Sequence, residues 1–131
     1  MRIFKNKWFT RYMRRENIDD NLICQAVARI NQNAADANLG GGVVKQRIAR
    51  PGDGKSGGFR VIILFKVDTF AFFVYGFAKN ERGSIASDEL KAFKKLAIVM
   101  LNFDSNAIAQ AIAEGALLEV FCEVIQSEEA V

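Results

Sequence analysis

Apolar residues recur along this 131-residue chain with two different periods, and the change of period separates helical from extended segments. Near the N-terminus and in the last third, apolar positions lie three and four residues apart, which is typical of helices. Between them the sequence alternates or becomes continuously apolar over short runs, which is typical of β-strands. The pattern therefore predicts two N-terminal helices, a central sheet and two C-terminal helices.

The N-terminal third predicts a short edge strand at residues 2–4 and then two helices. Aromatic residues between Phe4 and Tyr12 recur at helical spacing, with basic residues on or near the other side. We interpret this aromatic stripe as core rather than as a base-stacking platform. Residues 17–20 offer N-cap side chains for the second helix, which is expected to end before the glycines at 40–42.

Three strands are predicted in the middle of the chain, over residues 43–50, 59–66 and 70–77. The first alternates in character, whereas the second is almost entirely apolar and is expected to be covered on both faces. Because the connections are short, we expect an antiparallel meander. The glycine-rich residues 51–58 are expected to form the hairpin loop between the first two strands.

The last third predicts two further helices. Ser87 and Ser105 are their expected N-caps, and Gly115 is expected to end the second of them. The apolar tail at 117–125 fits either a strand or a helix. Together the elements indicate one α+β domain over residues 1–131, with two N-terminal helices, a three- or four-stranded antiparallel sheet and C-terminal helices.

Composition favours a globular protein without a membrane span. Half of the residues are apolar, and no apolar run reaches the roughly 18 residues that a transmembrane helix needs. The first residues lack the apolar core of a signal peptide. Cys24 and Cys122 stand far apart on apolar segments, so we expect small buried hydrophobes rather than a disulfide. These features favour a cytoplasmic location.

Positive charge is concentrated in the first half of the chain. Residues 1–62 contain twelve Lys and Arg against five Asp and Glu, a balance of +7. Residues 63–131 contain six against ten, a balance of −4. A basic half attracts nucleic acid, although the two halves could instead neutralise each other within the fold.

Several basic residues of the chain, from both halves, lie on or beside the predicted strands. Because an unpaired charge is costly in an apolar interior, we expect them on a solvent-facing surface that binds phosphate. A period of two on adjacent strands brings such side chains to one surface. The residues concerned are Lys45, Arg47, Arg60, Lys79 and Arg82.

The residue types limit the kinds of catalysis that are open to this chain. It has no histidine and its carboxylates are scattered, so we expect no metal site, no cofactor and no imidazole-dependent triad. A catalytic acid or base would have to be Lys, Arg, Tyr, Asp or Glu. RNA provides its own nucleophile, the 2′-hydroxyl, so clustered cations would orient the strand and stabilise charge on the phosphorane.

Three stretches of the sequence resemble the RelE/HigB-like toxins of type II toxin–antitoxin systems, and most strongly a HigB-like subfamily. They are residues 40–50, 54–62 and 72–82. The resemblance implies a compact fold in which the N-terminal helical pair packs on the antiparallel sheet. It implies cleavage of mRNA on the ribosome, which inhibits translation, without a metal. It also implies neutralisation by an antitoxin, a helix-turn-helix protein, and contact with operator DNA only through that complex.

The basic residues divide into two groups of predicted roles. The tyrosine that RelE carries shortly after the last of these segments has no counterpart in residues 83–86, and Tyr75 is interpreted as core, so no general base is assigned. The resemblance implies catalytic roles for Arg60, Lys79 and Arg82, and we assign RNA or phosphate binding to Lys45, Arg47, Arg50 and Lys55.

Two other functions stay open on the sequence. The related ParE branch shares the fold but poisons DNA gyrase, and the missing tyrosine is compatible with such a non-catalytic toxin. The other alternative is a plain interaction domain whose basic face binds only an acidic partner.

Overall fold

A six-stranded sheet lies between two pairs of helices in the computed structural model, which describes residues 1–49 and 57–122. The strand order across the sheet is β2-β3-β4-β5-β1-β6. In chain order the described elements are β1 (Arg2–Asn6), α1 (Lys7–Glu16), α2 (Asp20–Asn31), β2 (Ala37–Gly40), β3 (Val43–Ile48), β4 (Phe59–Lys66), β5 (Phe70–Ala78), α3 (Ser87–Met100), α4 (Ser105–Ala113) and β6 (Leu117–Val120).

The predicted antiparallel meander is confirmed. Strands β3, β4 and β5 are neighbours in the sheet, and each pairs antiparallel with the next. The bounds of β4 agree with the prediction, and its apolar side chains are shared between both faces, as Ile62 and Ile63 illustrate. A continuous apolar run of this length is stable only where both faces are covered, which explains why its position could be predicted.

The expectation of a three- or four-stranded antiparallel sheet is wrong in two respects. The sheet has six strands, because β1, β2 and β6 extend the three-stranded meander. Strand β1 runs parallel to β5, so the sheet is mixed. Strand β1 is also an interior strand rather than an edge. Ile3 and Phe4 are both buried, on opposite faces of the sheet, and such a strand needs cover on both sides. Phe4 therefore belongs to a strand, and the first helix begins only at Lys7.

Each face of the sheet carries one pair of helices and one apolar cluster. Helices α1 and α2 pack on what we call the first face, around Phe9, Ile23 and Ile63. Helices α3 and α4 pack on the second face, around Phe72 and Ile108. Within the described ranges no single helix is long and apolar enough to cross a membrane. Helices α3 and α4 have the required length and apolar composition only when they are taken together, and they are bent by 114° relative to each other.

The predicted helix caps are right for α2 and displaced by one residue for α3 and α4. Asp19 caps α2, with its carboxylate accepting a hydrogen bond from the backbone in the first turn. Ala86 takes the N-cap position of α3, so Ser87 is its first helical residue. Asp104 rather than Ser105 caps α4, because its carboxylate is the better acceptor for the free N–H groups there.

A disulfide joins Cys24 of α2 to Cys122, which follows β6, and corrects the expectation of two unlinked thiols. The pairing of β6 with β1 returns the chain to α2, so the two Cα atoms lie 5.7 Å apart although 98 residues separate them. Their proximity depends on long-range strand pairing, which the local sequence pattern does not contain. The ambiguous tail is a strand at Leu117–Val120.

Candidate nucleic-acid interface

Strands β3 and β4 place positive charge side by side on the second face of the sheet. Arg47 and Arg60 are cross-strand partners, and Phe77 of β5 is the next residue in the same row. Lys45 and Arg47 share the parity of Val43, which belongs to the apolar cluster of the second face. Two further cations follow β5. We call this group of five the basic face: Lys45, Arg47, Arg60, Lys79 and Arg82.

Three members of the basic face form no salt bridge with any described residue. They are Lys45, Arg60 and Lys79. Arg60 donates only a weak hydrogen bond, from Nη1 to the carbonyl of Phe59 at 3.4 Å. Lys79 is exposed just beyond β5, where its backbone N–H donates to the carbonyl of Gly58 at 3.3 Å. Unpaired cations gathered at one end of the sheet attract phosphate groups.

Arg82 differs from these cations because α3 provides it with a carboxylate. Its Nη2 donates to Glu89 Oε1 at 2.5 Å, its Nη1 donates to Oε2 at 3.2 Å, and its Nε donates to the carbonyl of Ser84 at 2.9 Å. Glu89 also accepts from the backbone N–H of Ala86 at 2.7 Å. The hydrogen bonds from Arg82, and then that from Ala86, hold the pKa of Glu89 below its usual range. Arg82 is therefore fixed in orientation.

Tyr75 lies beside this ion pair and is not simply a core residue, as the sequence interpretation had it. The residue is half-buried, and its hydroxyl accepts a hydrogen bond from Arg82 Nη1 at 3.2 Å. Its ring lies 6.2 Å from that of Phe77 and 5.8 Å from that of Phe93 on α3. Tyr75 has the same strand parity as Phe77, so its ring lies on the second face of the sheet, beside the basic face.

The remaining phosphate-binding candidates, Arg50 and Lys55, lie outside the described residues. A carboxylate that sequence reasoning missed stands beside the basic face instead. Asp36 accepts a hydrogen bond from the backbone N–H of Arg47, and its other oxygen lies 3.6 Å from Nη2 of Arg29. Asp36 precedes a strand that the sequence pattern did not predict, so nothing local indicated that it would reach β3.

Neither of the two larger described cavities is lined by a residue of the basic face. One of about 530 Å³ is lined by residues around Thr69, and another of about 640 Å³ by residues around Asp36 and Val67. Both contact the end of β4 opposite to Arg60. Within the part of the chain that the structure describes, no three His, Cys, Asp or Glu side chains come together as a metal site. The basic face suits an extended polyanion lying along the sheet better than an enclosed small molecule.

The arrangement can stabilise negative charge on a phosphate and hold it in place. Guanidinium groups bind phosphate oxygens through two parallel N–H donors, whereas lysine supplies a compact point charge. Arg60 supplies the first kind of group and Lys45 the second, within two residue positions along neighbouring strands. Tyr75 adds a hydroxyl that can exchange a proton.

The sequence matches one protein-family model over residues 1–120, that of the RelE toxin of the RelE / RelB toxin-antitoxin system. The chain belongs to the RelE toxin family. The resemblance noted in the sequence is therefore confirmed at the level of the family, whereas the HigB-like subfamily stays a prediction. No curated protein matches the chain.

Membership in the RelE family has one direct consequence for partners. The family consists of toxins that operate with an antitoxin, so a cognate antitoxin is implied for this chain as well. The roles predicted for individual residues of the basic face stay predictions.

Proposed function

We propose that this RelE-family chain is a ribosome-dependent mRNA endonuclease that acts without a metal ion and inhibits translation. The observation that supports this best is the row formed by Arg47, Arg60 and Phe77 on the second face, with Lys45 and Arg82 beside it. A cluster of cations around one strand end is the feature that stabilisation of a phosphorane requires.

The proposed reaction uses the RNA itself as nucleophile. The 2′-oxygen attacks the adjacent phosphorus and its proton passes to water, while the bond from phosphorus to the 5′-oxygen breaks and that oxygen takes a proton from the Tyr75 hydroxyl. The products are a 2′,3′-cyclic phosphate and a free 5′-hydroxyl. Arg60, Lys45 and Arg47 bind the phosphate oxygens, on which negative charge increases in the transition state.

Tyr75 is the group that we assign to proton transfer. Its hydroxyl accepts from Arg82 Nη1 and retains its own proton for donation. Arg82, oriented by Glu89, holds the phenolic oxygen in place through this hydrogen bond. Tyr75 would thus act as the general acid that protonates the leaving 5′-oxygen. Lys79, which is exposed next to this pair, would contact the leaving group or the neighbouring phosphate.

The proposed partners are the ribosome with its mRNA and an antitoxin of helix-turn-helix type. Operator DNA would be contacted only through the antitoxin complex. We propose a cytoplasmic location, because ribosomes and mRNA are found there. In that compartment the disulfide between Cys24 and Cys122 would be exposed to reducing agents, so the active protein there would contain both cysteines as thiols.

The experiment that tests this function maps the 5′ ends of mRNA after brief induction of the toxin. New ends that require translation are expected with the wild-type chain and with Lys66→Ala, a control cation at the opposite end of β4. Arg60→Ala is expected to abolish them. Intact mRNA after growth arrest by the wild-type chain would reject the proposal.

One observation favours a gyrase poison as the second candidate. Arg82 is engaged by Glu89, so its charge is less available to RNA than that of Arg60. The same cultures should therefore be examined for trapped gyrase–DNA complexes. Their presence together with intact mRNA would select the gyrase poison. Absence of both effects, with an acidic partner bound, would select a plain interaction domain.

A further inference from the structure

A continuous series of aromatic rings, those of Tyr12, Trp8 and Tyr75, lies along the part of the β5 edge that no strand pairs with. The indole of Trp8 on α1 stacks on the ring of Tyr12 at a centroid distance of 5.1 Å and an angle of 16°. It also lies 4.6 Å from the ring of Tyr75. Strand β1 pairs with β5 only as far as Phe73, so α1 rather than a strand covers this edge. Tyr12 reaches the edge because Gly76 has no side chain, and an added Cβ there would lie 2.8 Å from the ring of Tyr12.

Trp8 is exposed to an extent that core packing does not require. It is 39% exposed, whereas the neighbouring Phe9 is fully buried. A pocket of about 170 Å³ beside Trp8 is lined also by Arg11, Tyr12 and Arg15. The guanidinium of Arg15 lies 5.3 Å from the centre of the Tyr12 ring. The pocket thus combines aromatic rings with two cations.

Helix α1 is strongly basic around this pocket. It carries four basic residues against the single carboxylate of Glu16, a balance of +3 over ten residues. Arg11 forms no salt bridge with any residue that the structure describes. Arg15, by contrast, donates from Nε to Glu16 Oε2 at 3.2 Å, so Arg11 carries the unpaired charge beside these rings. Aromatic rings next to cations are typical of surfaces that bind single-stranded nucleic acid, where bases stack and phosphates are neutralised.

The pocket is connected to the basic face through a single residue. Tyr75 contacts Trp8 with its ring and Arg82 with its hydroxyl, so the distance between the two surfaces is spanned by one side chain. A strand of RNA on the basic face would therefore pass directly onto the Trp8 pocket. An acidic peptide would match the charge of this surface but would not use the faces of the rings.

We propose that the Trp8 pocket binds an unpaired base of single-stranded RNA, next to the nucleotides held on the basic face. The proposal rests on the proposed function only in naming RNA as the polymer. Trp8 stacks on the base, and Arg11 and Arg15 bind the adjoining phosphates. Such a contact fixes the register of the RNA on the protein and so selects which phosphate reaches Arg60.

The fluorescence of Trp8 reports whether a base occupies the pocket, because Trp8 is the chain's single tryptophan. A base that stacks on the indole is expected to quench its fluorescence. The probe is a short, fully 2′-O-methylated RNA, which lacks the nucleophile and stays intact. The matched control has the same backbone with abasic sites, and therefore the same charge. Strong quenching by the first and little by the second is expected. Equal quenching by both, or by a poly-glutamate peptide, would overturn the proposal.

Substitutions separate the contribution of base stacking to RNA affinity from the contribution of charge. Binding is measured by the fluorescence anisotropy of a labelled copy of the same RNA. Trp8→Ala is expected to weaken binding about 5- to 150-fold, the range that one stacked base contributes, and Trp8→Phe far less. Arg11→Ala should weaken binding and reduce its dependence on salt, whereas Arg14→Ala, on the same helix but outside the pocket, should have a much smaller effect. Equal effects of the two arginine variants would contradict the assigned pocket.

Failure of this proposal can be distinguished from failure of the proposed function. Base-dependent quenching by a chain that leaves mRNA intact would support the pocket and reject the nuclease. Cleavage by Trp8→Ala at the same positions and rate as the wild-type chain would reject the pocket and keep the nuclease. Trp8→Phe and Arg11→Ala provide the test if Trp8→Ala does not fold.

Discussion

Arg47 and Arg60 stand directly opposite each other on neighbouring strands. Like charges in this relationship destabilise a sheet by roughly 0.2–1 kcal/mol. Neither residue is needed for the apolar clusters, since Ile48 and Val61, the next residues along the two strands, supply buried side chains to the first face. An arrangement that weakens the fold and concentrates charge is typical of a functional surface, where stability and activity oppose each other.

We expect Arg60→Gln to abolish mRNA cleavage without lowering the stability of the fold. Loss of one preorganised donor to a developing oxyanion costs about 100- to 1000-fold in rate, whereas removal of the repulsion from Arg47 raises stability by up to about 1 kcal/mol. Rates on programmed ribosomes and urea unfolding give the two values. Lys66→Gln, at the other end of β4, is the control and should change neither. A stable Arg60→Gln protein with wild-type rates would exclude a catalytic role.

Glu89→Gln is expected to reduce cleavage moderately, by releasing Arg82 from its fixed orientation. Glutamine keeps an oxygen for the backbone N–H of Ala86 but loses the charge that attracts the guanidinium. The neighbouring variant Asp88→Asn removes an equal charge from the first turn of α3 without touching Arg82 and is the matched control. The decisive measurement is the rate as a function of pH. If both variants follow the wild-type profile, Glu89 does not position Arg82.

Acid is expected to weaken the fold through two carboxylates. Hydrogen bonds from Arg82 and from Arg2 lower the pKa of Glu89 and of Glu119 respectively. A carboxyl with a lowered pKa in the folded state stabilises the fold above its unfolded pKa, about 4.3, and this contribution is lost as the pH falls through the folded pKa. The double variant Glu89→Gln/Glu119→Gln should therefore depend less on pH below about 4.3 in urea unfolding. A dependence as steep as that of the wild-type chain would contradict these assignments.

Removal of the disulfide is expected to lower stability by about 2–4 kcal/mol, because it closes a loop that spans most of the chain. The variant Cys24→Ala/Cys122→Ala should unfold at lower urea and should not respond to a reducing agent. The oxidised wild-type chain should fall to the same level when it is reduced. If the reduced wild-type chain unfolds with an unchanged midpoint, the bridge does not stabilise the fold.

The sequence pattern predicted those parts of the fold that depend on local or neighbouring segments. The apolar run of β4 and the cap at Asp19 are examples, since a covered strand and a capped helix each have a local signature. The pattern did not predict that β1 would lie inside the sheet, because its parallel partner β5 is distant in sequence. The Cys24–Cys122 bridge depends on the same long-range pairing and was missed for the same reason.

The candidate site was predictable to the extent that strand alternation determines it. Lys45, Arg47 and Arg60 could be placed on one face from a period of two and short connections. The partner of Arg82 could not, because the fit of Glu89 depends on where α3 begins relative to β5. Tyr75 was interpreted as core for a related reason, since only the position of Arg82 distinguishes its hydroxyl from a buried one.

The role of Tyr75 can be separated from simple packing by the loss of one oxygen atom. Tyr75→Phe keeps the ring beside Trp8 and Phe93 but removes the acceptor for Arg82 Nη1. If the hydroxyl transfers a proton, the rate of cleavage should fall by about 100-fold or more while the affinity for RNA changes little.

The chain contains its own control for Tyr75→Phe, because its only other tyrosine is Tyr12. Tyr12→Phe deletes the same atom from a ring on the first face of the sheet, away from Arg82. It keeps the ring that stacks on Trp8, so its rate of cleavage should fall far less than that of Tyr75→Phe. A merely positioning hydroxyl at residue 75 would instead weaken RNA binding and leave the rate of cleavage by bound toxin unchanged. That result would exclude Tyr75 as the proton donor. Because the two variants differ only in which face loses a hydroxyl, equal activities of both would exclude Tyr75 from the reaction.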